Sequence, residues 1–141
     1  MKQKDKLFRH KTWFIDIDGT IVKHMGDDDI EDLISDKKGR SHLYEKVIPK
    51  SVKFINSLPK DDIVVLTTAR NPKVEQHTLK MLKRFKVRYD KIIFDLNPGP
   101  RYLINDIYKD NLTAYSINVK RDKGIEMSAG CPIKPQISLV T

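Results

Sequence analysis

The chain has 141 residues, an apolar share of 39% and a formal charge of +8, from 27 Lys and Arg against 19 Asp and Glu. That length suits one domain with a single core, no apolar run approaches the roughly 18 residues of a membrane span, and the lone Cys131 excludes an internal disulfide. The charged start, MKQKDKLFRHK, is followed by neither an apolar segment nor a small-residue cleavage site, so the reading is cytoplasmic.

The positive field favours anionic partners. Phosphorylated small molecules rank above nucleic acid here, because no basic block interleaved with aromatics stands out. In chain order, residues 12–18 read as a strand, and TIVKHM after Gly19 as a short extended continuation. Residues 26–42 are polar, charged and poorly periodic, which predicts an exposed flap. Val47, Ile48, Val52, Ile55 and Leu58 recur at helical spacing, with Pro49 suited to a first turn. IVVLTT, residues 63–68, is a continuous apolar run of the kind a sheet covered on both faces requires. Asn71 and Pro72 then cap a helix whose inner face carries Val74, Thr78, Met81, Leu82 and Phe85. Residues 91–94, 101–106 and 114–118 read as three further strands, and residues 120–141 as an irregular tail whose ISLV could pair with a sheet edge.

Strands alternating with helices predict a three-layer α/β/α fold around a parallel sheet, in a single domain over residues 1–141 with its core at about 12–119 and a flap at 23–46. Ligands of such sheets gather at the carboxyl ends of the strands. Three strands end there in polar groups: Asp16-Ile17-Asp18, Thr67-Thr68 and Asn105-Asp106. Two carboxylates at one strand end repel, and a hard cation is the simplest remedy. Mg2+, an oxygen-seeking ion that keeps several waters, fits, with Asp106 completing the oxygen set. Gly19 lets the chain turn sharply, and Thr20 offers a hydroxyl and an N–H to an anion. A carboxylate nucleophile, a second carboxylate for proton transfer, a cation and a hydroxyl together suit phosphoryl transfer.

DIDGT, residues 16–20, resembles the first motif of the haloacid dehalogenase superfamily of phosphatases. VVLTTAR resembles the second motif, with Thr68 as the better match and Thr67 as the alternative, and LINDIYKD resembles the fourth. The resemblance implies Asp16 as nucleophile, Asp18 as general acid and base, and Thr68 as a phosphoryl-binding residue. Asp16, Asp18 (through its carbonyl) and Asp106 would hold Mg2+, with Asn105 or Asp110 behind them or on the ion. Gly19, Thr20, Thr67, Ala69 and Arg70 would line the substrate. The family's third-motif lysine has no counterpart, since its place falls on Asn97-Pro98; Arg101 is the nearest cation, with Lys73 and Lys91 as alternatives.

In that family a large cap usually follows the first or second motif, and neither interval here has room for one. The resemblance is therefore to the small capless members, with an open site that a homo-oligomeric neighbour could complete. The expected activity is Mg2+-dependent hydrolysis of a phosphate monoester through an aspartyl phosphate, on a phosphosugar or related metabolite. The alternatives are a phosphatase of nucleic-acid ends or of a phosphoprotein, and a non-catalytic phosphate-binding module. His10, His24, His42 and His77 show no metal-ligand spacing, and DDD at 27–29 reads as a solvated flap.

Overall fold

A computed structural model describes residues 10–35 and 44–126. β1 (Thr12–Asp16) buries Ile15 on one face and leaves Phe14, on the other, 57% exposed. β2 (Ile63–Thr67) is the buried centre, with Val64, Val65 and Leu66 all shielded, and β3 (Lys91–Ile93) is short. The three strands form a parallel sheet in the order β1-β2-β3, with Phe14 opposite Val65 and Asp16 opposite Thr67.

Parallel neighbours need long crossovers, and two helices supply them. α2 (Pro49–Asn56) opens on a proline whose fixed φ suits the first helical position. Its Phe54 meets the Trp13 ring edge-on at 5.7 Å between centroids. α3 (Glu75–Arg84) is entered through a 3-10 turn (Pro72–Val74), where the Asn71 side chain accepts from the Lys73 N–H at 2.9 Å. α3 closes on Lys86 at φ 56°, with the Lys86 N–H on the Lys83 carbonyl and the Val87 N–H on the Leu82 carbonyl. That two-bond closure normally takes glycine at the left-handed position.

One core joins these elements. Ile15, Ile17, Val64 and Leu66 from the sheet pack with Phe54, Ile55 and Leu58 around α2 and with Met81 and Leu82 of α3. Each such side chain is worth about 1.5–3 kcal/mol when fully buried. Both crossover helices therefore sit on one face of the sheet. The opposite face leaves Phe14, Ile63 and Ile93 exposed, and the described residues form an α/β unit with a three-stranded parallel sheet.

Several expectations change. The predicted flap contains a helix, α1 (Asp27–Ile34), anchored by buried Ile30 and resting against the 3-10 turn. Asp28 and Asp29 lie in its first turn, where the helix dipole favours acids. Residues 101–106 and 114–118 form no strand: neither free edge of the sheet pairs with them, and Tyr102 and Ile104 are 88% and 92% exposed. Residues 120–126 are irregular but anchored. The Asp122 N–H donates to the Gly19 carbonyl at 2.8 Å, Asp122 Oδ1 accepts from the His24 N–H at 2.7 Å, and Ile125 joins the core. Residues 36–43 of the flap, Cys131 and the ISLV segment lie outside the described residues. Among the described residues no helix is long and apolar enough to cross a membrane.

Candidate active site

Hydrogen bonding to β2 continues one residue past the end of β1, since the Ile17 N–H donates to the Thr67 carbonyl at 3.1 Å. The chain then turns on itself, and the N–H groups of Thr20, Ile21 and Val22 converge on the Ile17 carbonyl at 3.3, 2.9 and 3.2 Å. Gly19 makes the turn possible at φ 82°, a left-handed conformation that side chains disfavour; an added Cβ would also lie 3.1 Å from Arg121 Cγ. Asp16 and Asp18 are thereby held at the carboxyl end of the central sheet, as expected, but in unlike surroundings.

Asp18 is clamped. Thr68 Oγ1 donates to its Oδ2 at 2.9 Å, Arg70 Nη2 to its Oδ1 at 2.8 Å, and Arg70 Nε to both oxygens at 3.0 and 3.2 Å. Its side chain is 18% exposed. Asp16 is open, with a 42% exposed side chain, a Thr20 hydroxyl donating at 3.4 Å, and Arg101 Nη2 3.8 Å from its Oδ1. Burial, and then repulsion from Asp18, push the Asp16 carboxyl above its usual range, while Arg101 and Thr20 pull the other way.

Arg70, expected to line the substrate, is instead 2% exposed and surrounded by acceptors. Beyond Asp18 it donates through Nη1 to Glu45 Oε2 at 2.9 Å and to Thr78 Oγ1 at 3.1 Å, and its Nη2 pairs with Glu45 Oε1. With every N–H directed at the protein, it positions Asp18 and does not reach a ligand. The Thr68 hydroxyl is likewise fully buried, donating to Asp18 and accepting from the Arg70 N–H at 3.1 Å. The hydroxyls left near Asp16 are those of Thr20 and of Thr67, its partner across the β1–β2 ladder; both residues are half-buried, as is Ala69.

Sequence reasoning missed Glu45 and His77. Glu45 is buried between Arg70 and His77, whose Nε2 lies 2.7 Å from Oε2. Burial alone would raise the Glu45 carboxyl, but hydrogen bonds from Arg70 and His77 outweigh it and hold the group at about 2. In sequence Glu45 is one acid among LYEKV; only the fold shows that it faces the same guanidinium as Asp18.

Asn105, Asp106 and Asp110 are all exposed, in a segment without strand structure. Among the described residues no group of three or more His, Cys, Asp or Glu side chains could hold a metal, so Asp16, Asp18 and Asp106 do not form a set of three carboxylate ligands. The clamp occupies the Asp18 carboxylate, whereas the ligand expected of this residue is its backbone carbonyl, which those bonds do not involve. Mg2+ commonly takes one or two carboxylates and fills its remaining positions with water and phosphate oxygens. The half-exposed carboxyl of Asp16 is the side chain of the site open to such an ion. Of the three cations considered for the missing lysine, Arg101 is the one paired with Asp16.

Compared with family models, with curated proteins and with solved structures, the chain matches none.

Proposed function

We propose that this chain is a Mg2+-dependent phosphatase of phosphate monoesters, acting on a phosphosugar or related metabolite through an aspartyl phosphate. One observation carries the reading: two carboxylates stand at one strand end, Asp16 open and Asp18 fixed by a buried arginine. A purely structural acid pair has no reason to fix one member on a buried arginine and leave the other half-exposed, with only a long contact to Arg101.

On this reading an Asp16 oxygen attacks phosphorus as the bond to the ester oxygen breaks. Asp18, the resting anion of Arg70, would take the proton of a monoanionic phosphate ester and pass it to the departing oxygen. A water molecule would then attack the aspartyl phosphate, giving its proton to solvent by way of Asp18 and releasing inorganic phosphate and the free Asp16 carboxylate. Arg101 and the Thr20 and Thr67 hydroxyls face the equatorial oxygens, where most of the catalytic task in phosphoryl transfer lies. Arg70 and Thr68 keep the Asp18 carboxyl aimed. Asp16, with the Asp18 backbone carbonyl expected beside it, would hold Mg2+, which would supply charge neutralisation for the phosphoryl group.

The test is phosphate release from an aryl phosphate with Mg2+, with and without a chelator. Wild-type protein is expected to turn over only with the metal, and Asp16→Asn to lose at least a thousandfold, on the order of 4 kcal/mol of barrier. Equal rates for the two proteins would remove Asp16 from the chemistry.

A further inference from the structure

At the other end of the sheet lies an open groove of about 580 Å3, between the last turns of α3 and the loop entering β3. α3 runs back from the carboxyl end of β2 to the amino end of β3, so the groove and Asp16 are at opposite ends of the strands. Leu82 and Val87 are its buried apolar residues, Lys80, Lys83 and Lys86 its exposed cations, and Tyr89 its exposed aromatic ring. No acid lines it, and among the described residues none of the three lysines is in an ion pair.

We propose that this groove binds single-stranded nucleic acid, with phosphates on Lys80, Lys83 and Lys86 and a base stacked on Tyr89. Helical residues three apart are neighbours, about 5–6 Å between Cβ atoms, so Lys80 and Lys83 repel until an anion joins them. Lys86 continues the row from a left-handed position that glycine fills more cheaply. The fold gives up stability there while the cation is kept. An acidic peptide would match the charge but leave the ring unused, and a membrane surface would need apolar side chains pointing outward, whereas Leu82 and Val87 are buried. Residues 79–89 are thus a basic stretch with an exposed ring, the interleaving that the sequence alone did not bring out and the pairing that single strands use.

The inference does not depend on the phosphatase reading, and the two fail separately: Asp16→Asn is expected to bind an oligonucleotide as wild type does. The experiment is fluorescence anisotropy of the full chain with labelled oligothymidylate of about 12 nucleotides, within the usual single-strand site sizes. Three phosphate contacts predict a slope of about −2 in log affinity against log salt. Lys80→Gln with Lys83→Gln should weaken binding and flatten that slope. Tyr89→Ala should weaken binding about tenfold at unchanged slope, with Tyr89→Phe restoring it. Lys86→Gly should bind more weakly while melting higher, a combination that simple loss of structure does not produce. No binding at low salt, wild-type binding by the lysine or Tyr89→Ala variants, or equal affinity for polyglutamate or anionic vesicles would each overturn the proposal.

Discussion

Arg70 holds Asp18 with two nitrogens, Nη2 at 2.8 Å from Oδ1 and Nε at 3.2 Å from Oδ2, and turns its other edge to buried Glu45. The arrangement needs a planar fork, which lysine cannot supply although it keeps the charge. Arg70→Lys is therefore expected to cost about 3 kcal/mol of stability, the lower end for damage to a buried ion pair. It should also lower kcat for phosphate release about a hundredfold, the scale of misplacing a reacting group by an ångström. Denaturant unfolding and steady-state kinetics on one preparation check both. A normal kcat in the destabilised variant would show that the guanidinium serves only the fold.

Asp16 and Asp18 should part company when each is made neutral. Asp16 keeps its charge against burial and against Asp18, so Asp16→Asn is expected to stabilise the protein at neutral pH. The gain is below about 1 kcal/mol, because the exposed side chain is screened by water. Its sign follows from the raised folded-state pKa: the penalty is absent below the ordinary value of 3.8 and grows as pH rises through the folded value. Asp18→Asn leaves part of Arg70 without its anion and should destabilise by about 1–3 kcal/mol. Thermal melts of both variants at neutral and acidic pH separate these outcomes, and a shared sign at neutral pH would contradict the clamp.

Glu45 sets the acid limit. Its carboxyl sits at about 2, below the ordinary 4.5, so it contributes stability in full above 4.5 that is lost as pH falls through about 2. The amount is on the order of 3 kcal/mol. Acid titration by circular dichroism should show wild-type stability falling across that window. Glu45→Gln should start lower at neutral pH and vary less over the same range. An unchanged acid profile in the variant would remove Glu45 from the linkage.

The candidate site was legible where chemistry is written locally. DIDGT predicted both acids at a strand end and the glycine turn, and the apolar run before Thr67 predicted β2. The roles of Thr68 and Arg70 were not legible, because a hydroxyl or guanidinium reads the same whether it faces a ligand or a buried carboxylate. Glu45 was missed for the same reason: its partners lie 25 and 32 residues away. α1 was hidden by charge, since Ile30, which is buried, stands among the acids of DDDIED, a composition that reads as a loop. Tyr102-Leu103-Ile104 has the composition of a strand, but a strand exists only through pairing, which composition does not report.

Arg101 reaches Asp16 at 3.8 Å from a half-exposed position, and its Nη1 donates to the Gly99 carbonyl at 3.2 Å. An exposed pair of this length adds little to stability, so Arg101→Gln should shift unfolding by less than about 0.5 kcal/mol. If the guanidinium meets the transferring phosphoryl group, the same change should reduce kcat/KM about a hundredfold, and Arg101→Lys should recover part of it. Kinetics that match wild type would return the missing lysine's role to Lys73 or Lys91.

Asp106 gives the sharpest test of the metal set. It is exposed and outside any group of three ligating side chains among the described residues, so Mg2+ rests on Asp16 in the proposed site. Asp106→Asn is then expected to leave the half-saturating Mg2+ concentration within about twofold of wild type, and thermal stability unchanged, as for a solvated surface acid. The readout is rate against Mg2+ concentration for both proteins. A tenfold higher metal requirement would place Asp106 on the ion.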